Sequence, residues 1–295
     1  MQKKLPQATN AVLALKPITI SKKVISSNAS TWWRSSATDK EQEEMVFYFS
    51  ATGNSKYVAE RIGREFGGQV INISDATRNN EYKYQVEDEE KVFFIFPVYF
   101  YGLPNLVSAF IKKVQFTGET PDVCGIGTYG GSCGAVDRMF KAALKGKEVH
   151  FRAFYKIKMV GNYVLMYKMP LPEEQTMILR RADKEIDHCI DAIRFHFRTS
   201  FHSSIGFGAV SKIAYSFYQD KCGTKKFFAE NSCIGCGLCQ TICPVEAIQM
   251  EEGRPVWTKQ QCVHCLGCLQ RCPVEAIQYG KKTKDRGRYV NPILK

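Results

Sequence analysis

Eight of the twelve cysteines stand in two runs that share one spacing. Residues 233–248 read CIGCGLCQTICPVEAI and residues 262–277 read CVHCLGCLQRCPVEAI, so the two runs align without a gap. Each run has the pattern C-x2-C-x2-C-x3-C-P, which is typical of the thiolate ligands of 4Fe–4S clusters. The repeat therefore predicts two such clusters in this part of the chain.

The fourth cysteine of each run is expected to bind the cluster of the other run. Three cysteines separated by two residues each can surround one face of a cubane. A loop this short cannot encircle the cluster, so the fourth ligand must come from elsewhere in the chain. The predicted ligand sets are Cys233, Cys236, Cys239 and Cys272 for one cluster, and Cys262, Cys265, Cys268 and Cys243 for the other. A pair of zinc sites is the alternative, and it leaves no role for the third close cysteine or for the trailing C-P. His264 lies between two ligands of a set that is already full, so we expect it to be a loop residue.

A loop of small polar residues follows the first apolar segment of the chain. We predict a strand at residues 45–50 and a helix at 56–66, joined by the sequence ATGNS at 51–55. Backbone N–H groups at a helix N-terminus, together with nearby hydroxyls, bind a phosphate dianion, and glycine lets the backbone approach it closely. The predicted phosphate-binding residues are Ser50, Thr52, Gly53, Asn54 and Ser55. The simpler alternative is a capped helix after a strand.

Two more loops follow the third and fourth predicted strands. The first reads PVYFYG at residues 97–102 and the second TYGGS at 128–132. Both fall at the carboxyl ends of strands, where open α/β sheets bind their ligands, and an aromatic residue beside small ones suits a flat ring system. The candidate residues are Pro97, Tyr99, Gly102, Thr128, Tyr129, Gly130 and Gly131. For the two tyrosines, simple packing is the alternative.

A competing nucleotide motif overlaps the last of these loops. Gly125, Gly127 and Gly130 fit G-x-G-x-x-G, with Glu148 near the distance of a ribose-binding acid. The first two glycines fall inside a predicted strand, so a nicotinamide site is disfavoured here.

The remaining cysteines lie outside the two runs. Cys133, beside the third loop, is either redox-active or a small residue in a turn, while Cys124, Cys189 and Cys222 are expected to be buried or incidental thiols.

Strand and helix patterns alternate along most of the chain. Strands are predicted at residues 45–50, 69–73, 91–96, 122–128 and 151–160, and helices at 56–66, 103–114, 136–145 and 173–196. This alternation indicates an α/β fold with a parallel sheet covered by helices on both faces. We predict a leader at 1–44, an α/β domain at 45–198, a connector at 199–226, a cysteine-rich domain at 227–281 and a basic tail at 282–295.

Composition and charge narrow the possible functions. The formal net charge is +12, and residues 1–38 contain no acidic residue. The sequence contains no basic stripe with interleaved aromatic residues, so nucleic-acid binding is not expected. No apolar stretch is long enough to span a bilayer, and the charge favours an acidic protein partner. The cysteine pattern indicates a reducing compartment, the cytoplasm, and residues 1–38 leave open a transit peptide to a mitochondrion-related organelle. A flexible leader, or a start at Met45, is the alternative.

Three segments resemble the cofactor loops of flavodoxins. FYFSATGNS at 47–55 resembles the phosphate loop for FMN, and FPVYFYGLP at 96–104 and GTYGGS at 127–132 resemble the loops around the isoalloxazine ring. Ala51 departs from the family pattern, in which glycine is common at this position. The cysteine-rich region resembles bacterial-type two-cluster ferredoxins. This order of domains is similar to a family of flavodoxin–ferredoxin fusions over about residues 45–281.

The resemblance implies a flavodoxin-like doubly wound parallel sheet with FMN, followed by a small α+β ferredoxin domain with two 4Fe–4S clusters. FMN exchanges two electrons and can release them singly, while clusters exchange one each. We therefore expect an electron carrier that serves a redox protein, such as a ferredoxin or an oxidoreductase. One alternative is an FMN-dependent reductase of a small acceptor, a quinone or an enone, with Tyr99 or Tyr129 as proton donor. The other is an iron–sulfur redox sensor.

Overall fold

The computed structural model describes residues 44–195, 211, 213–216, 218 and 223–294. The predicted leader lies outside them except for Glu44, and so does most of the predicted connector. In the first region the elements are β1 Met45–Tyr48, α1 Asn54–Phe66, β2 Gln69–Asn72, α2 Ile73–Arg78, β3 Lys83–Val86, β4 Lys91–Pro97, α3 Asn105–Lys113, β5 Gln115–Gly118, β6 Asp122–Tyr129, α4 Val136–Ala143, β7 His150–Lys158 and α5 Pro172–Arg194.

Five of these strands form one sheet in the order β2-β1-β4-β6-β7. Every neighbouring pair is parallel. The chain therefore winds one way from β1 to β2 and the other way from β4 onward, which is the flavodoxin-like strand order. The carboxyl ends of β1 and β4 meet at this reversal, where doubly wound sheets bind their ligands.

The sheet is buried on both faces, which explains its continuous apolar strands. Phe93 and Ile95 of β4 pack with α1 and α5 on one face. Phe94 of the same strand packs with Phe110 of α3 and Phe140 of α4 on the other face. Because successive side chains of a strand point to opposite faces, a strand covered on both sides must be apolar at every position. The predicted α/β fold class with a parallel sheet is confirmed.

The predicted elements differ from the structure mainly at their ends and in the short ones. The helix predicted at 56–66 begins two residues earlier, at Asn54, and the strand predicted at 151–160 ends at Lys158. The helix predicted at 173–196 is α5, and residue 196 lies outside the described residues. Sequence analysis missed α2, β3 and β5. The strands β3 and β5 have four residues each and pair only with one another, so their partner is remote in sequence.

The cysteine-rich region forms a small α+β unit. Its elements are β8 Phe227–Ala229, α6 Leu238–Thr241, β9 Ile248–Glu251, β10 Arg254–Trp257, α7 Gly267–Gln270 and β11 Ile277–Tyr279, followed by a 3-10 turn at Pro292–Leu294. The strands pair antiparallel, β8 with β11 and β9 with β10. The third cysteine of each run, Cys239 or Cys268, lies in the short helix of its half, so the sequence repeat is also a structural repeat.

The two regions keep largely separate cores inside one compact unit. Leu266, Leu269 and Ile277 lie in the core of the cysteine-rich region, whereas Val263 packs into the core beside the sheet. The predicted basic tail also packs on the protein, with Tyr289 and Asn291 buried. Among the described residues, no helix combines the length and apolar character that crossing a membrane would need.

Candidate functional site

The loop after β1 turns at Gly53, the residue that precedes α1. Its φ of 95° is left-handed, a conformation that glycine adopts without steric penalty. The Gly53 N–H donates to Ser50 Oγ at 3.1 Å. Ala51 has no positive φ, so the departure from the flavodoxin pattern leaves the backbone unstrained there. The turn directs the N-terminus of a 13-residue helix at the space above the sheet, which favours a bound anion.

The loop after β4 has a strained tip. Tyr99 and Gly102 exchange backbone hydrogen bonds of 3.0 and 2.9 Å, which closes a tight turn. Phe100 and Tyr101 between them have φ values of 48° and 68°, and each such conformation costs roughly 1–3 kcal/mol in a non-glycine residue. The Phe100 ring stacks on Tyr218 with centroids 5.6 Å apart. Aromatic contacts therefore hold the strained tip against a residue far along the chain.

The loop after β6 approaches the segment after β7 at van der Waals distance. The Met159 N–H donates to the Tyr129 carbonyl at 2.7 Å. A Cβ on Gly130 would lie 2.3 Å from the Gly161 Cα, so only glycine fits there. Gly131 has no atom within 4 Å of such a position and faces open space.

These three loops line one cavity of about 410 Å³, a size typical of cofactor sites. Ten of the twelve predicted cofactor residues line it: Ser50, Thr52, Asn54, Ser55, Pro97, Tyr99, Thr128, Tyr129, Gly130 and Gly131. Hydroxyls from two of the loops meet there, because Ser55 Oγ lies 2.8 Å from Thr128 Oγ1. The other two predicted residues lie behind the wall, Gly53 against Leu294 and Gly102 against Tyr215.

Some walls of the cavity come from residues that sequence analysis did not assign to a flavin site, although it named Cys265 as a cluster ligand and His264 as a loop residue. They include Met159, Val160, Gly161, Asn162, Tyr163, Met166, Tyr167, Tyr218, His264, Cys265 and Leu266. The segment after β7 also follows the carboxyl end of a parallel strand, where such sheets bind their ligands. Its position in the sequence was therefore sufficient to predict it as part of the site. Tyr218 and the second cysteine run reach the cavity by tertiary packing, and nothing in their local sequence indicates that position.

The side chains of Thr52 and Asn54 are engaged by the protein itself. Asn162 Nδ2 donates to Thr52 Oγ1 at 2.5 Å. Asn54 Nδ2 donates to the Val160 carbonyl at 3.0 Å, and Asn54 Oδ1 accepts from the Tyr289 hydroxyl at 2.7 Å. What these two positions offer a phosphate is therefore chiefly their backbone at the N-terminus of α1.

The two tyrosines at the cavity hold their protons firmly. Burial raises the pKa of Tyr99 well above its usual 10, and the nearby Cys265 and Tyr218 add to this. Burial also raises the pKa of Tyr129. Both side chains are therefore neutral hydrogen-bond donors at physiological pH.

Two further cavities are lined by cysteines, four each. One contains Cys233, Cys236, Cys239 and Cys272 in its wall, and the other contains Cys243, Cys262, Cys265 and Cys268. The thiols surround a space instead of converging on a point. Within the described ranges, no three His, Cys, Asp or Glu side chains are placed to hold a single metal ion. Each group of four combines one cysteine of one run with three of the other, the same sets that the spacing predicts.

The donor chemistry around these thiols suits cluster ligands. The Ala247 N–H donates to Cys243 Sγ at 3.2 Å, and the Ala276 N–H makes the equivalent bond to Cys272 Sγ at 3.3 Å. The His264 N–H donates to Cys262 Sγ at 3.2 Å. Backbone donors of this kind stabilise thiolate sulfur and are among the features that set cluster potentials. The residues present therefore fit iron–sulfur clusters.

Burial raises the pKa of thiols in both sets. It raises that of Cys262 to about 11, raises those of Cys265 and Cys268 further, and also raises that of Cys239 in the other set. A thiolate in such surroundings needs a compensating positive charge, which ligated iron supplies. Cys236 of the other set is exposed.

The second cysteine run adopts the backbone of the first without its glycines. Gly235 and Gly237 have φ values of 68° and 72°, and the equivalent residues His264 and Leu266 have 48° and 58°. The His264 ring compensates through hydrogen bonds, Nε2 with the Gly223 carbonyl at 3.1 Å and Nδ1 with the Tyr163 hydroxyl at 3.3 Å. His264, predicted as a loop residue, therefore connects the cysteine-rich region to the wall of the large cavity.

Cys265 and Leu266 line both the large cavity and the second cysteine-lined cavity. The structure thus places a cysteine-lined cavity directly beside the cavity formed by the three loops.

The remaining thiols and the nucleotide motif have packing explanations. Cys133 is buried, and burial raises its pKa to about 12. Cys124 and Cys189 are also buried. Cys222 lies outside the described residues. A Cβ on Gly125 would lie 2.4 Å from the Phe154 ring, so this glycine makes room for an aromatic side chain inside β6.

Family models match both regions of the chain. A flavodoxin domain matches residues 45–121, and a 4Fe-4S dicluster domain matches residues 232–277. No curated protein matches the chain.

Solved structures share parts of the first region at low identity. The Trp repressor binding protein of Bacillus subtilis is 15% identical, covering 54% of this chain and 100% of its own, with a TM-score of 0.32. A flavoprotein in complex with FMN from Lactobacillus acidophilus is 14% identical, covering 40% and 91%, with a TM-score of 0.26. A flavodoxin from Archaea is 16% identical, covering 50% and 99%, with a TM-score of 0.26.

The chain joins an N-terminal flavodoxin domain to a C-terminal 4Fe-4S dicluster domain, as the sequence resemblance implied. Its cofactors are FMN and iron–sulfur clusters, and it is an electron-transfer protein.

Proposed function

We propose that electrons pass between an external redox protein and FMN through two 4Fe–4S clusters in series. The inner cluster is held by Cys262, Cys265, Cys268 and Cys243, and the outer cluster by Cys233, Cys236, Cys239 and Cys272. The residues of the large cavity would hold FMN, which would supply two-electron chemistry beside the one-electron chemistry of the clusters. The chain thereby couples a two-electron centre to a one-electron partner.

The observation that supports this order most strongly is the shared wall at Cys265 and Leu266. A cluster bound to Cys265 would border the flavin cavity, because Cys265 lines both spaces. The outer set does not line that cavity. The inner cluster is therefore the direct partner of the flavin.

Exposure supports the outer cluster as the site where an external protein docks. Cys236 is exposed, and the neighbouring Ile234 and Val274 expose 64% and 38% of their surface. The four inner-set cysteines are buried or half-buried, and Cys236 is the only exposed one among the described cysteines. A protein that docks over Ile234 reaches the outer cluster and remains remote from the inner one.

The three loops determine which residues would face the phosphate of FMN and which would face its ring. The N-terminus of α1 and the Ser50, Ser55 and Thr128 hydroxyls would bind the phosphate. Tyr99 and Tyr129 would contact the ring, and His264 and Tyr218 would close the cavity on the side of the cysteine-rich domain. The cysteine-rich domain would thereby cover the cofactor with which it exchanges electrons.

We also infer a division into domains at residues 45–198 and 227–281, and residence in a reducing compartment. The three described cysteines outside the cluster sets, Cys124, Cys133 and Cys189, form no disulfide, which favours such a compartment. Residues 281–288 contain five basic residues and one acidic residue, so an acidic redox protein is the favoured partner.

A second candidate function is the reduction of a small acceptor at the flavin. Met166 and Tyr167 line the cavity and are 67% and 43% exposed, so one side of it is open to solvent. Oxidation of the reduced protein by a quinone or an enone, fast relative to its spontaneous oxidation, would favour this function over that of a carrier.

The order of the centres can be tested with two ligand variants. Cys236→Ser removes the outer cluster and Cys265→Ser removes the inner one. After flash photoreduction, the flavin of Cys236→Ser should still equilibrate rapidly with its remaining cluster, whereas the flavin of Cys265→Ser should be isolated. The opposite pattern would contradict the proposed order, and circular dichroism is the control that both variants fold.

A further inference from the structure

We propose that the C-terminal segment at residues 289–294 is part of the FMN site, although it does not line the cavity. It would act by positioning the phosphate loop from behind, so that FMN binds tightly only when this segment is docked. The inference rests on the proposed place of FMN in the large cavity.

The segment contacts the phosphate loop through a network of buried hydrogen bonds. Tyr289 OH and Asn291 Nδ2 donate to Asn54 Oδ1 at 2.7 and 3.2 Å, and the Asn291 N–H donates to the Thr52 carbonyl at 2.8 Å. Asn54, Tyr289 and Asn291 expose 8%, 4% and 2% of their surface. Buried networks of this kind fix one conformation, because each broken bond leaves a polar group without water.

The same segment covers the turn itself. Leu294 and Asn291 pack against Gly53, where a Cβ would lie 3.0 Å from Leu294 Cγ and 2.8 Å from Asn291 Cβ. The turn that aims α1 at the cavity is therefore enclosed from outside by residues more than 200 positions later in the chain.

The network continues to the helix that carries an inner-cluster ligand. The Tyr289 N–H donates to Gln270 Oε1 at 2.8 Å, and Gln270 Nε2 donates to the Asn162 carbonyl at 2.6 Å. Gln270 lies two residues after Cys268 in the sequence. One buried network therefore joins the phosphate loop, the C-terminal segment and the end of α7.

The arrangement makes FMN binding and docking of the segment reciprocal. If the docked segment stabilises the binding conformation of the loop, bound FMN must stabilise the docked segment by the same factor. This reciprocity gives a measurement that needs no variant and no electron-transfer assay.

The first test is the dissociation constant of FMN, measured by quenching of flavin fluorescence in cluster-loaded protein. Tyr289→Phe removes only the hydroxyl, and we expect its dissociation constant to rise about three- to tenfold; Asn291→Ala should raise it about tenfold or more. Tyr57→Phe is the matched control: it breaks a 2.6 Å hydrogen bond from α1 to Asp183 on the far side of the helix and should leave FMN affinity within twofold of wild type.

Wild-type protein that does not bind FMN would contradict the proposed function. Wild-type binding with unchanged affinity in both segment variants would refute the role of the segment alone. The second test is amide hydrogen exchange of wild-type protein with and without FMN. FMN should slow exchange at residues 289–294 as well as at 52–55, and unchanged exchange in the C-terminal segment would overturn the inference.

Discussion

Replacing Gly53 with alanine should destabilise the protein through two separable effects. The first is conformational, because φ is 95° and a left-handed backbone costs an L residue roughly 1–2 kcal/mol. The second is steric, because the new Cβ would lie 2.8 Å from Asn291 Cβ, where carbon atoms prefer about 3.5–4.0 Å. Overpacking of this kind costs about 1–3 kcal/mol. Together they predict a loss of roughly 2–5 kcal/mol.

Two other glycines separate these effects. Gly146 has a φ of 83° and open space around its Cβ position, so Gly146→Ala measures the conformational effect alone. Gly131 has neither a positive φ nor a neighbour within 4 Å, so Gly131→Ala should change stability by less than about 0.5 kcal/mol. Both controls should lose less stability than Gly53→Ala, and the difference from Gly146→Ala measures the steric contribution at Gly53.

The assay is urea unfolding of the three variants and the wild type, followed by circular dichroism, with FMN affinity measured on the same samples. We expect Gly53→Ala to be the least stable variant and to bind FMN more weakly than the wild type. A Gly53→Ala protein as stable as Gly146→Ala would refute the packing of residues 291–294 on the phosphate loop.

Three further predictions concern the clusters, the buried thiols and the partner. Cys243→Ser should abolish the EPR signal of the cluster whose other ligands are in the second run, and Cys272→Ser that of the other cluster; the reverse assignment would refute cross-ligation. Burial raises the pKa of Cys124 to about 12, so the folded thiol keeps its proton above pH 9 while the unfolded thiol loses it. This one thiol should therefore lower the free energy of unfolding by about 1.4 kcal/mol per pH unit between pH 9 and 12. The urea midpoint of Cys124→Ala should decline less steeply with pH than that of the wild type, and equal slopes for the two proteins would contradict the prediction. Electron exchange with an acidic redox protein should slow as ionic strength rises, and a rate independent of salt would argue against a charged docking surface.

The sequence predicted those parts of the fold that are encoded locally. The strand at 91–96 is recognisable because a strand buried on both faces must be apolar throughout. The loop at 51–55 is recognisable because glycine and small hydroxyl residues after such a strand suit an anion at a helix N-terminus. The groups of cysteines follow from the repeated spacing, since each loop is too short to surround a cluster.

What the sequence did not predict depends on contacts between distant residues. Nothing around His264 or Leu266 indicates that a histidine and a leucine adopt the left-handed conformation of Gly235 and Gly237. The strain is offset by packing and hydrogen bonds, including the contact with Tyr163. Residues 282–295 read as a basic tail because lysine and arginine dominate the composition, although Asn291 is the residue that reaches Thr52 and Asn54. Such pairings become visible only when the two domains are brought together.

We expect one chain to hold FMN and two clusters as connected redox centres. The most direct measurement is an anaerobic reductive titration of the cofactor-loaded protein, followed by visible and EPR spectra. FMN and two clusters together should take up about four electrons per chain, with bleaching of the flavin resolved from the cluster signals. Uptake of about two electrons without flavin bands would contradict the account and leave a two-cluster protein with no flavin centre.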